Sequence, residues 1–130
     1  MKSGVKFLVF GNPLVDIDKT PLLLLNRLRK EFPQIEFKEF DPSENLEGEG
    51  RDLNIIDTIE GIENVVLFTD IGLIRTSRIF SLHDFDLGYS LKLLKKLGIL
   101  DSVRIFGVPM KISQRDALSQ LSELIRKELF

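Results

Sequence analysis

Cysteine is missing from this 130-residue chain, and so is tryptophan. Without a thiol there is no disulfide framework, no cysteine-ligated zinc or iron–sulfur centre and no cysteine nucleophile. Histidine occurs once, at His83. Long apolar runs are also lacking. The N-terminal stretch Val5–Phe10 is broken by Lys6, and it is too short for a signal-peptide core or a membrane span. Neither sign of charge dominates: 18 Lys and Arg stand against 20 Asp and Glu, a net charge of -2. With no basic footprint, nucleic acid is not an expected partner. These absences predict a cytoplasmic protein with no membrane insertion.

What remains is ordinary globular composition, 43% apolar and 29% charged, with no repeat, low-complexity tract or linker to divide it. Residues 1–130 are expected to form a single domain. Val5–Phe10 (VKFLVF) reads as a buried strand closed by Gly11-Asn12-Pro13. Thr20-Pro21 opens a helix, with Leu22, Leu25, Leu28 and Phe32 at helical spacing and Pro33 as its stop. Ile35–Phe40 alternates apolar and charged residues, as a strand with one exposed face does. Asp41 to Gly50 is acidic and turn-rich, so it reads as a surface loop with the acids of Glu44–Glu49 in solvent.

Leu53, Ile56 and Ile59 fall at helical spacing and predict a short helix. Asn64–Thr69 (NVVLFT) is expected to be the third strand, buried on both faces, with Asp70 at its end. A further short strand near Leu73–Phe80 fits the pattern. Ser81-Leu-His83-Asp84 has capping-box spacing ahead of a helix that ends at Gly98. Val103–Val108 is another buried strand, ended by Pro109, and Ser113 opens the last helix, with Ala117, Leu118, Leu121, Leu124, Ile125 and Leu129 on one face. The alternation predicts an α/β fold, a three-layer αβα sandwich around a mostly parallel central sheet of four or five strands. In such sheets ligands bind off the carboxyl ends of the strands, where strand order reverses. The loops after the first and third strands are therefore the ones to inspect.

Candidate ligands fall in those places. Asp16 and Asp18 follow the first strand, Asp70 ends the expected third, and His83 lies in the first turn of its helix. There the helix dipole disfavours imidazolium and keeps the ring able to bind a metal. Two carboxylates and an imidazole suit a first-row divalent ion with open positions. Spacing alone also allows plainer roles: helix caps for the aspartates, a structural histidine, and a turn for Gly11-Asn12.

The segment FGNPLVDIDK resembles the opening motif of the hydrogenase maturation proteases, the nickel-dependent endopeptidases that trim the C-terminus of a [NiFe]-hydrogenase large subunit. Asp70 in VVLFTDIG, His83 in Ser81-Leu-His83 and the run RIFGVPM are similar to later motifs of that family. The resemblance implies an endopeptidase that removes the C-terminal extension of a nickel-loaded large-subunit precursor. It implies Asp18, Asp70 and His83 as metal ligands and catalytic residues, and Gly11, Asn12, Asp16 and Asp41 against the substrate. Nickel would arrive with the precursor, which is the expected partner. Asp18 stands where the family commonly has Glu, Lys19 where it has Gly, and the stretch from Asp70 to His83 is short. These departures keep a second expectation open, a catalytically silent relative that binds precursor or metal. A third is a receiver-type phosphoacceptor module using Asp16 or Asp18, Asp70 and Lys111, which would leave His83 unused.

Overall fold

The computed structural model describes residues 5–10, 20–40, 46–59, 61–69 and 94–130. Five strands and two long helices are ordered along the chain as β1 (Lys6–Phe10), α1 (Thr20–Glu31), β2 (Glu36–Phe40), β3 (Asp52–Ile59), β4 (Val66–Phe68), β5 (Ser102–Pro109) and α2 (Gln114–Leu129). A 3-10 turn, Leu46–Glu49, precedes β3. The strands form one sheet in the order β2-β1-β3-β5-β4. Its first four members are parallel, and β4 runs antiparallel on the edge beside β5. The expected α/β architecture with a mostly parallel five-stranded sheet is the one observed.

Each face of the sheet carries its own apolar cluster. On one, Phe7, Val9, Ile56, Phe106 and Val108 meet Leu24, Leu25 and Leu28 of α1 and Ala117, Leu121, Ile125 and Leu129 of α2. On the other, Leu8, Phe10, Phe40, Ile55, Ile59, Phe68 and Ile105 pack with Leu46, Leu94 and Leu100. The alternation of side chains along β1, β3 and β5 divides the two sets. The helix ends follow the sequence signals. Ser113 has extended backbone angles, and its hydroxyl accepts the Asp116 N–H at 3.1 Å. Leu94–Lys96 is helical and stops at Gly98, whose φ of 77° is the left-handed cap conformation. There Ile99 N–H reaches Leu94 C=O and Gly98 N–H reaches Lys95 C=O, the paired bonds that close such a terminus.

Two elements correct the sequence expectation. Leu53–Ile59 is not a helix but the heart of β3, and every residue in it is buried. A strand covered on both faces reads as a continuous apolar run without alternation. The β-branched residues Ile55, Ile56, Thr58 and Ile59 favour that pleated surface, and the three-residue spacing of Leu53, Ile56 and Ile59 was coincidental. Asn64–Thr69 is correspondingly not a central strand. Only Val66–Phe68 pairs, on the edge, and Val66 is exposed. The six residues 60–65 are too few for the crossover that a parallel return needs. Starting from the end of β3, the chain therefore passes the place of β5 and runs back. Val65 N–H is anchored on this path by Gln120 Oε1 of α2 at 2.8 Å.

The acidic loop is corrected in part. Glu49, expected in solvent, keeps 11% of its side-chain exposure and bridges Lys6 of β1 at 2.8 Å and Lys38 of β2 at 3.0 Å. Two neighbouring parallel strands bring like charges together, and Glu49 holds both. The Lys6 hydrogen bond, with Lys38 behind it, keeps the Glu49 carboxyl below its ordinary range against the opposing effect of burial.

Candidate functional site

In the order β2-β1-β3-β5-β4, the chain leaves β1 towards β2 on one side and returns through β3 to the other. The reversal lies between β1 and β3, and the crevice beyond their carboxyl ends is where this architecture takes ligands. β1 ends there at Phe10, and β3 carries its last three residues, Asp57, Thr58 and Ile59, to the same edge. The β1–β3 ladder runs through Leu8–Ile55 and Val9–Ile56. One residue further along both strands, Asp57 comes level with Phe10, one strand spacing or roughly 5 Å away.

Asp57 is the feature that sequence reasoning missed. It is wholly buried, at 0% exposure, in a strand whose other residues are Leu, Ile and Thr apart from Asn54 and the exposed Asp52 at its start. Alternation places it on the face of Ile55 and Ile59, where Leu94, the first described residue after segment 70–93, also packs. Its Oδ1 accepts the N–H of Thr58 at 2.8 Å. On its far side it pairs in register with Gly107 of β5. Burying a carboxylate is costly unless partners or a ligand compensate it. The signal was present in the sequence: an acid inside the β-branched run IIDTI. The helical assignment of that run hid it.

Gly11, Asn12, Asp16, Asp18, Asp41, Asp70 and His83, the residues singled out from the sequence, lie outside the described residues. Their described neighbours fix where the chain enters each of those stretches. Phe10, before Gly11-Asn12, and Phe40, before Asp41, pair as the last rung of the β1–β2 ladder at the carboxyl edge. Thr69, before Asp70, follows the antiparallel β4 towards the other edge. The row Leu8–Ile55–Ile105–Phe68 crosses four strands. Phe68 thus stands three strand spacings from β1, roughly 14 Å, with Thr69 one residue beyond it, away from the carboxyl edge. The third strand as observed is Asp52–Ile59, and the acid near its carboxyl end is Asp57; the expected acid, Asp70, lies outside the described residues.

Among the described residues, no three His, Cys, Asp or Glu side chains are grouped to hold a metal ion. No helix among them is long and apolar enough to cross a membrane. No protein-family model matches the chain, and no curated protein does. Among solved structures, the chain is similar to an uncharacterized protein from Wolinella succinogenes. That likeness has a TM-score of 0.55 and 18% identity, and covers 95% of this chain and 92% of the other. At that identity the shared property is the fold.

Proposed function

We propose that this chain is a maturation endopeptidase acting on a nickel-loaded [NiFe]-hydrogenase large-subunit precursor, with Asp18, Asp57 and His83 as the groups that meet the metal. The observation carrying this reading is the wholly buried Asp57 carboxylate on the third strand, one strand over from the residue that leads into Gly11-Asn12 and Asp18. Asp57 takes the place that the sequence reading gave to Asp70. It satisfies the same requirement, an acid on the third strand at the strand-order reversal, whereas β4 leads away from that crevice. Support for His83 is that the segment bearing it rejoins the described fold at Leu94, on the Asp57 face.

In this reading nickel belongs to the substrate. The three side chains complete its coordination from outside, two carboxylates and a neutral imidazole being suited to a first-row ion with positions left open. Held in this way, the metal orients the C-terminal extension and polarises the scissile carbonyl or activates a water. With no cysteine in the chain and a single histidine, a thiol nucleophile is excluded. Because the metal arrives with the precursor, cleavage reports that nickel has been inserted. A cytoplasmic location accompanies this role.

The test is incubation of the purified chain with precursor, nickel-loaded or nickel-free, followed by intact-mass measurement. Loss of the C-terminal extension from the loaded form alone supports the proposal. Saturable binding without cleavage would make the chain a silent relative, and neither binding nor cleavage would remove the hydrogenase connection.

A further inference from the structure

At the edge of the sheet opposite the carboxyl ends lies a second feature, a cavity of about 870 Å³ lined by residues at the starts of β1, β3 and β5. Asn54 and Arg104, register partners on β3 and β5, are among them. Asn54 is 9% exposed. Its Oδ1 accepts from Arg104 Nε at 2.9 Å, and its Nδ2 donates to the Lys6 carbonyl at 3.4 Å. A buried amide in a central strand is costly unless it is used. Here it holds a guanidinium by its inner nitrogen and leaves both Nη groups without a hydrogen bond among the described residues.

The other charges around the cavity are largely matched to one another. Lys6 is held by Glu49, and Arg51 forms a two-pronged pair with Asp101, at 2.8 and 2.9 Å. Asp52 Oδ1 accepts the Ser102 hydroxyl at 2.7 Å. Glu36, an exposed acid at the start of β2, also lines the cavity and disfavours ligands of high negative charge. The donor left over beside Asn54 is the outer edge of Arg104. A fixed guanidinium edge matches the paired oxygens of a carboxylate or a phosphate.

From this arrangement we infer that the cavity is a binding site for a small ligand bearing one carboxylate or phosphate group, with Arg104 as its principal contact and Asn54 as the residue that positions Arg104. The site is separate from the proposed protease centre and does not depend on it.

The experiment is titration calorimetry and thermal shift on the full chain at constant ionic strength, with inorganic phosphate and acetate as probes and chloride as control. Saturable binding of phosphate alone assigns the phosphate class, and of acetate alone the carboxylate class. Arg104→Met is expected to weaken either roughly tenfold, the equivalent of one charge-assisted contact. Arg104→Lys, which keeps the charge without the planar fork, should weaken it a few-fold and guards against a folding defect in the first variant. No saturation with either probe, or undiminished binding in Arg104→Met, overturns the inference.

Discussion

Asp57 of β3 lies directly across from Gly107 of β5, a buried carboxylate beside a residue with no side chain. A Cβ built on Gly107 would come within 2.7 Å of Ile59 Cγ1 and 3.0 Å of Phe68 Cε2. The glycine therefore lets Ile59 and Phe68 close over the sheet next to the acid. Gly107→Ala is predicted to destabilise the fold by about 1–3 kcal/mol, the usual effect of overpacking a core. Chemical denaturation should show a lower midpoint at unchanged slope; an unaltered midpoint would mean that the neighbours yield freely.

Asp57 itself should behave as a functional group, not a structural one. Asp57→Asn keeps the side chain's shape and an oxygen that can accept the Thr58 N–H while removing the carboxylate, so a folded protein is expected. Cleavage of nickel-loaded precursor is expected to disappear. Asp70→Asn should leave cleavage in place. The informative comparison is of activity with melting temperature for both variants, because a purely structural Asp57 would lose the two together.

The Glu49 bridge predicts a pH dependence. Its carboxyl is held below the ordinary range by Lys6 and Lys38 in the folded state. The unfolded chain therefore binds a proton there first as pH falls. The stability from this bridge is complete above an unfolded pKa of about 4.3 and is lost as pH drops through the lower folded value. Glu49→Gln should flatten that acid limb and cost about 1–3 kcal/mol at neutral pH, as loss of hydrogen bonds to charged partners does. The exposed part of each lysine makes the effect smaller in high salt. Urea titrations of both proteins from pH 3 to 7 would reveal it; parallel curves would show that the bridge contributes nothing.

Thr58, next to Asp57, is 1% exposed, and its hydroxyl has no hydrogen-bond partner among the described residues. Valine has nearly the same shape without the polar atom. Thr58→Val is predicted to stabilise the protein by about 1–2 kcal/mol, since an unsatisfied buried hydroxyl is costly. A fall in melting temperature instead would mean that the hydroxyl is satisfied in solution.

How far the sequence reveals this molecule depends on where each residue sits. Ser113, Gly98 and the Leu stripe of α2 are governed by local chemistry, capping and helical periodicity, and all three were legible. β2 was legible because it lies at an edge and alternates. β3 was not, because burial on both faces erases the alternation that marks a strand. Mistaking it displaced the count of strands by one. The sequence reading therefore placed the end of the third strand at Asp70, whereas the strand that is third carries Asp57. The partnership of Glu49 with Lys6 and Lys38 was equally hidden, since only strand pairing brings those lysines together. Asp18 and His83 lie outside the described residues, so their part in the site rests on the resemblance and on the places where the fold leaves and rejoins them.

In the proposed site the acid that faces the metal is Asp57. A crystal soaked with nickel and measured for anomalous scattering tests it most directly. A peak is expected at bonding distance, roughly 2.0–2.4 Å, from a carboxylate oxygen of Asp57, with Asp18 and His83 completing the set. A peak on Asp70 with Asp57 left uncoordinated, or no peak at the β1–β3 crevice, would contradict it.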